Sequence, residues 1–254
     1  MDIGQEGIHF PEEILMDILS RLPVRSLQRF KCVSPSWNAL ISARYFVMKH
    51  LSRSKSDLNS QKLLTIRRPT ITKLEFTRYS FSSSSVQVIE DEQSLYWPPN
   101  CRPAWIIRCC YDGLVLISTI DTSDQRTNAP HLLLWNPSTR ESILLPSREN
   151  ALSDLVFGLG YDATSDDYKI LAADVNGEDS LKEVSVEIFP LKTGSWRKIG
   201  KYPTGMHRVS DHLNYGMYSL TFIHGAFHWV GRSAYHTIIS FNISNEVYGE
   251  IPLL

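Results

Sequence analysis

Apolar positions change their spacing once along this chain, between residues 52 and 60. Before that point Ile14, Ile18 and Leu22 recur every fourth residue, with Leu15 and Leu19 beside them, the spacing that lines the face of an α-helix. Pro11 suits the first helical position, where its missing N–H costs nothing. Glu12 and Glu13 fill the first turn, where the helix dipole favours acids. Pro23 stops this helix. A second stretch carries Val24, Leu27, Phe30 and Val33. Ser34-Pro35 reads as an N-cap followed by proline at the first position. It opens a third helix with Trp37, Leu40 and Ile41, and Phe46 and Leu51 lie further on. Together these helices place apolar residues on more than one face, and such a segment needs a partner to cover the second.

Residues 52–60, rich in Ser, Lys, Asp and Asn, read as a linker. Beyond them the runs are short, alternating or β-branched: Leu63–Ile66, Leu74–Phe76 and Val86–Ile89, with Ser82–Ser85 as a loop. After residue 104 a repeat emerges. Trp135, Phe189 and Phe241 each precede a turn-forming segment, and their spacings are 189 − 135 = 54 and 241 − 189 = 52. A period near 50 matches kelch-like propeller repeats. Each unit divides into four strands: 105–110, 114–118, 132–135 and 142–145; then 156–161, 168–172, 184–189 and 196–199; then 218–223, 226–230, 238–242 and 247–251. Asp112-Gly113 and His224-Gly225 suit tight hairpins, and Asn136-Pro137-Ser138-Thr139 suits a turn between the last two strands. An open β-sandwich with coincidental turns is the alternative, and the regularity of three units argues against it. Residues 61–100 add at most one ragged further unit, and a ring takes roughly 4–8 blades to close. The expectation is an open arc with an exposed edge near Ile251 and Leu253, in a truncated or alternatively processed chain.

Charge and cysteine usage narrow the setting. The net charge is -1, so whole-protein attraction to nucleic acid or to an anionic membrane is not expected. Residues 1–56 hold eight Lys/Arg and five Asp/Glu, about +3, and the remaining 18 and 22 give about -4. The N-terminal piece suits an acidic partner, or simply a solvated basic helix face. No apolar run precedes the first helix and none is long enough to span a bilayer, so neither a signal peptide nor a membrane partner is expected. Cys32, Cys101, Cys109 and Cys110 have no Cys-x-x-Cys spacing and read as free thiols in a reducing compartment. Asn242-Ile243-Ser244 fits a glycosylation sequon, which an intracellular chain would not use.

Catalytic constellations are sparse. The eight histidines lack metal-ligand spacing on a helix, so no metal or other cofactor is expected. Asp166-Asp167 reads as a solvated turn. There is no phosphate-binding glycine loop and no Gly-x-Ser-x-Gly elbow, which leaves a propeller enzyme with little support.

Pro11, Glu13, Ile14, Leu15, Ile18, Leu22, Leu27, Val33 and Trp37 all fall where F-boxes place similar residues. The stretch Leu22-Pro23-Val24-Arg25-Ser26-Leu27 through Val33-Ser34 to Trp37 resembles the plant version closely; Pro35 departs from it, where Lys or Arg is commoner. The later motifs resemble the F-box-associated domain of plant F-box proteins: Tyr111-Asp112-Gly113-Leu114-Val115, Leu134-Trp135-Asn136-Pro137-Ser138-Thr139-Arg140-Glu141, Phe157-Gly158-Leu159-Gly160-Tyr161-Asp162 with Asp166-Asp167-Tyr168-Lys169, and Gly225-Ala226-Phe227-His228-Trp229.

The resemblance implies an α+β, multidomain chain: an all-α F-box over 5–51, a linker over 52–60, and a mainly-β, propeller-like, incomplete repeat domain over 61–254. It implies a substrate-recruiting subunit of a Skp–Cullin–F-box ubiquitin ligase, non-catalytic and located in cytoplasm or nucleus. Pro11, Ile14, Leu15, Leu19, Leu22, Pro23 and Leu27 would face a Skp-family adaptor, and through it a cullin. Ile18, Phe30, Val33 and Trp37 would form the F-box core, Trp135, Phe189 and Phe241 would anchor the repeats, and the β domain would hold a target protein. The alternative is a truncated competitor that occupies the adaptor without presenting a substrate.

Overall fold

The computed structural model describes residues 11–57, 60–70, 73–82, 85–89, 103–121, 131–148, 155–174, 186–199, 220–231 and 237–252. The chain divides into two compact units, Met1–Tyr96 with Ser138–Arg140 and Trp97–Pro137 with Glu141–Leu254.

Four helices open the first unit: α1 (Glu12–Leu19), α2 (Val24–Phe30), α3 (Pro35–Ser42) and α4 (Arg44–Ser56). Pro11 sits one residue earlier than its helical propensity implies, at the N-cap of α1 with extended backbone (φ -52, ψ 137). Pro23 is likewise the N-cap of α2. It starts the second helix rather than stopping the first, because α1 has already ended in a tight turn in which Leu22 N–H donates to Leu19 O at 3.0 Å. Ser34 caps α3, its Oγ accepting from Trp37 N–H at 3.2 Å, with Pro35 at the first position. Residues 52–56, expected as linker, form the last turn of α4. Serine-rich though it is, this run contains neither Gly nor Pro, and Ser56 Oγ donates back to Ser52 O at 3.1 Å. Leu19, Leu27, Leu40, Ile41 and Phe46 make the buried core of the helices, with Leu15, Met16, Leu22, Phe30 and Trp37 packed around it.

The same unit holds an antiparallel meander of β1 (Lys62–Thr70), β2 (Lys73–Ser82) and β3 (Ser85–Ile89). Ser82 pairs with Ser85, where the serine run was expected to turn.

The second unit contains three four-stranded antiparallel sheets, each with its strands adjacent in chain order. The first sheet is β4 (Pro103–Tyr111), β5 (Leu114–Asp121), β6 (His131–Asn136) and β7 (Glu141–Leu144); the second is β8 (Leu155–Asp162), β9 (Asp167–Asp174), β10 (Val186–Pro190) and β11 (Arg197–Lys198); the third is β12 (Thr221–Ile223), β13 (Ala226–Gly231), β14 (Thr237–Asn242) and β15 (Tyr248–Pro252). The expected strand starts at Val184 and Tyr218 lie outside the described residues. Asp112-Gly113 and His224-Gly225 both have positive φ at each position (52 and 79; 49 and 78), the type I′ geometry that matches strand twist. The turns before the fourth strands repeat as well. Arg140, Gly194 and Glu246 each sit in the left-handed region, spaced 194 − 140 = 54 and 246 − 194 = 52.

Trp135, Phe189 and Phe241 are the penultimate residues of β6, β10 and β14, each the third strand of its sheet, and all three are buried. Two cores alternate through the stack. Leu116, Leu132 and Leu134 of the first sheet meet Phe157, Ile170 and Phe189 of the second. Leu171, Val186 and Ile188, from the opposite face of the second, meet Phe227, Trp229, Ile239 and Phe241 of the third. Strand β8 has room for this because Gly158 and Gly160 carry no side chain. A Cβ at either would lie 2.6 Å from the ring of Phe227 or Phe222. The fold is therefore α+β, a small helical module with a mainly-β, propeller-like set of sheets, none of which closes on itself among the described residues. Ile251 is about half exposed on the outer strand β15; Leu253 lies outside the described residues.

Candidate functional site

Two places carry more than packing: the outer surface of the helices and the junction of the second and third sheets.

On the helices, the side chains expected to act together separate into two sets. Pro11 and Pro23 are exposed, and Ile14, four residues before Ile18 on α1, is 50% exposed. Leu15 and Leu22 are half-buried against the core. Leu19 and Leu27, expected to face a partner, are instead buried core residues. Ile18 and Val33, expected in the core, are 51% and 61% exposed. The reason is the roughly 100° rotation per residue of a helix: Leu19 turns inward, and its neighbour Ile18 must then point away. Phe30 and Trp37 pack edge to face, ring centroids 5.6 Å apart at 83°, and hold α2 to α3.

Polar contacts fix α1 to α4. Arg53 Nη1 donates to Asp17 Oδ1 at 3.1 Å and to Ser20 Oγ at 2.9 Å, and Arg21 Nη2 donates to Asp17 Oδ2 at 2.5 Å. These bonds, Arg53's first, hold the Asp17 carboxyl below the usual carboxylate range. Tyr45 OH donates to Glu12 Oε1 at 2.8 Å, which raises the tyrosine pKa. His50 Nε2 donates to the Leu22 carbonyl at 2.9 Å. The result is a locked helical frame with an aliphatic outer surface.

At the sheet junction, Lys169 Nζ donates to Asp162 Oδ2 at 2.7 Å and to Ile243 O at 3.1 Å. Asp162 also accepts from Ser165 Oγ (2.6 Å), Ser244 Oγ (2.5 Å) and Thr164 N–H (3.0 Å). Burial opposes the charge on Asp162, but the bonds from Lys169, Ser165, Ser244 and Thr164 outweigh it and hold the carboxyl well below its ordinary range. Arg197 pairs with Glu246 across the same two sheets. Asp166 and Asp167, expected together in a solvated turn, part company. Asp166 accepts the hydroxyl of Tyr161, whereas Asp167 is buried and accepts the Lys192 N–H at 3.2 Å. Sequence reasoning missed this latch, although Asp162 and Lys169 belong to motifs it had singled out.

Among the described residues no group of three or more His, Cys, Asp or Glu is placed to hold a metal ion, and no described helix is long and apolar enough to cross a membrane. Cys109 is buried and Cys110 exposed, as neighbours on a strand should be; burial first, then Cys110, pushes the Cys109 thiol pKa up.

Residues 8–49 match the F-box domain family, and residues 71–254 match the family described as F-box associated beta propeller domain. Among curated relatives, an F-box/kelch-repeat protein of Arabidopsis thaliana is 28% identical over 96% of this chain and 65% of its own length. Putative F-box only protein 15 of the same plant is 26% identical over 95% of this chain and 58% of its own. F-box only protein 8, also from Arabidopsis thaliana, is 26% identical over 96% and 80%. The chain thus spans 65% and 58% of the length of the first two. With the matched region covering well over half of the sequence, this chain belongs to the plant F-box proteins that carry an F-box associated β-propeller domain.

Proposed function

We propose that this protein is a substrate-recruiting subunit of a Skp–Cullin–F-box ubiquitin ligase, with an F-box over 5–51, a connection over 52–60 and a target-binding β domain over 61–254. The observation that carries this reading is the exposure of Ile14, Ile18 and Val33 on helices that already own a core of Leu19, Leu27, Leu40, Ile41 and Phe46. Aliphatic side chains left outside a complete core favour burial against a partner, by about 1.5–3 kcal/mol for each fully covered one, less the cost of association. A Skp-family adaptor, which brings the cullin, is the partner that an F-box implies. Pro11, Leu15, Leu22 and Pro23 border that surface, while Leu19 and Leu27 support it from beneath. The protein supplies no catalytic residue in this scheme; holding a target near the ubiquitin-loaded enzyme raises its effective concentration. It works inside the cell, in cytoplasm or nucleus, without nucleic acid or membrane.

Co-purification with a Skp-family adaptor tests the reading. Ile14→Asp with Ile18→Asp should abolish capture, as should Leu22→Ala with Pro23→Ala, while the β domain keeps its thermal transition. Adaptor binding unchanged in both pairs would remove the assignment. Ubiquitin transfer to a co-purified target separates a working receptor from a competitor that only occupies the adaptor.

A further inference from the structure

The serine-rich run after Leu51 forms the last turn of α4, and two features meet in that turn. Arg53 ties α4 to the end of α1, through Asp17 Oδ1 at 3.1 Å and Ser20 Oγ at 2.9 Å. Ser56 closes the helix: its Oγ donates back to Ser52 O at 3.1 Å, and the C-cap Asp57 has already left helical geometry (φ -103, ψ 109). Ser52, Lys55, Ser56 and Asp57 are all exposed. The turn is weakly made, because serine is a poorer helix former than alanine or leucine and an acid at the C-terminus opposes the helix dipole. The tie is also weak, since the Arg53 and Asp17 side chains are 39% and 42% exposed and a wet ion pair contributes little.

Leu51-Ser52-Arg53-Ser54-Lys55-Ser56 has a second chemistry. An arginine three residues before a serine, with an aliphatic residue five before it, is the pattern that calcium/calmodulin-dependent and related serine kinases select. The guanidinium pairs with acidic side chains of the kinase and the aliphatic residue enters an apolar pocket. Ser56 has both, in Arg53 and Leu51; Ser54 has Leu51 in the place of the arginine, and Ser52 has Lys49 there but sits a turn deeper in α4. The weight of so short a motif comes from its position: the arginine that a kinase would read is the arginine that holds α1.

We propose that Ser56 is a phosphorylation site for a serine kinase of this class, and that its phosphate loosens the end of α1 from α4. In the transfer, Ser56 Oγ attacks the γ-phosphorus of ATP. The new O–P bond forms as the bond to the β–γ bridging oxygen breaks, ADP leaves, and the hydroxyl proton passes to the catalytic aspartate of the kinase. The phosphate brings a charge of about -1.5 to -2 and three acceptor oxygens. Residues three apart on a helix are neighbours, with Cβ atoms roughly 5–6 Å apart, so it lies within reach of Arg53. Arg53 then chooses between a near-dianion on its own helix and a monoanion on another, and a guanidinium forks readily onto phosphate. Asp17 keeps Arg21, Ser20 loses its donor, and the Tyr45–Glu12 bond remains at the start of α1. The loosening therefore falls on the last turn of α1. Phosphorylation also takes the Ser56 hydrogen away from Ser52 O and adds negative charge at the helix C-terminus beside Asp57, which unwinds the turn that positions Arg53. Both effects act in one direction. The consequence for docking rests on the adaptor reading above: Ile18, in the loosened turn, loses its fixed orientation and capture weakens.

The test treats the full chain with ATP, magnesium and an active calcium/calmodulin-dependent protein kinase, then maps the phosphate by peptide mass and follows native-state hydrogen exchange. The expected result is phosphate on Ser56, absent from Ser56→Ala and retained in Ser52→Ala. Exchange should speed up at least about fivefold at the Ser20, Arg21 and Leu22 amides, which bond within the end of α1, and the affinity for a Skp-family adaptor should fall. Ser56→Glu should reproduce part of the exchange change in the native background and none of it in an Arg53→Met chain, where the tie is already gone. A chain left unmodified at Ser56 would overturn the proposal. So would unchanged exchange in the phosphorylated chain, or a Ser56→Glu effect of equal size with and without Arg53. Failure of the unmodified chain to capture the adaptor would count against the adaptor reading alone, because the exchange result decides this inference without it.

Discussion

The Lys169–Asp162 latch offers a sharp test of how the second and third sheets are held together. Replacing Lys169 with Met keeps the aliphatic stem and removes the ammonium. Three donors to Asp162 survive, from Ser165, Ser244 and Thr164, but the carboxylate is left buried without its cation and Ile243 O loses a donor. Breaking a buried pair by deleting one partner costs about 3–5 kcal/mol, and the surviving bonds set the expectation at the lower end, about 3 kcal/mol. For a domain of this size each kcal/mol shifts the midpoint by roughly 2–4 °C, so the thermal transition should fall by about 6–12 °C. Adding Asp162→Asn to the same chain removes the stranded charge. The double variant should then lose less than the two single losses summed.

Acid gives an independent readout of the same group. The folded-state pKa of Asp162 lies below its unfolded value. The stabilisation is therefore fully present above about pH 4, near the ordinary Asp pKa, and is lost as pH falls from there toward the folded-state pKa. Asp162→Asn should flatten this part of the stability–pH curve. The measurements are near-UV circular dichroism melts from pH 3 to pH 7, with native-state hydrogen exchange at the turn Ser244–Glu246 (a check that the loss is local). The latch would be refuted by a Lys169→Met cost under about 1 kcal/mol, or by an acid slope that Asp162→Asn leaves unchanged.

Other substitutions separate the layers of the fold. Leu19→Ala or Leu27→Ala should destabilise the helical core by about 2–5 kcal/mol, read by chemical denaturation, whereas Ile18→Ala or Val33→Ala should stay within about 0.5 kcal/mol. Truncating Trp135, Phe189 or Phe241 to Ala should cost about 3–5 kcal/mol each without changing adaptor capture at temperatures where the chain stays folded. Gly160→Ala forces a methyl group against the Phe222 ring and should cost about 1–3 kcal/mol by overpacking, an expectation that Phe222→Ala in the same chain should relieve.

The β strands were readable because two local signals agree wherever they occur. Asp112-Gly113 and His224-Gly225 supply left-handed turn residues, and each is flanked by runs of apolar and β-branched side chains. The anchors recur at 54 and 52 residues, and the left-handed residues Arg140, Gly194 and Glu246 keep the same two intervals. Turn chemistry and core position are thus set by one repeat. The latch had no such signal. Lys169 and Asp162 are seven residues apart across one hairpin, but Ser244 comes from 82 positions away. No short-range pattern distinguishes a carboxylate that will meet it from Asp166 in the same turn, which accepts instead from Tyr161. Asp167 was misjudged for the same reason: the N–H it accepts belongs to Lys192, beyond the next strand.

In the helices the difficulty is of another kind. Ile14, Ile18 and Leu22 form one four-residue series, and Leu15 and Leu19 form a second beside it; hydrophobicity alone treats the two as equals. With α1 only eight residues long, either series could face inward. What decides is the company on the other helices. Leu27, Leu40, Ile41 and Phe46 converge on Leu19, and the Asp17–Arg53 and Ser20–Arg53 bonds fix the rotation of α1 that keeps it there. Once Leu19 is inside, Ile14 and Ile18 must lie outside. A residue's role as core or contact here follows from how α4 clamps α1, and a polar substitution at Arg53 should disturb the outer aliphatic surface without touching any residue of it.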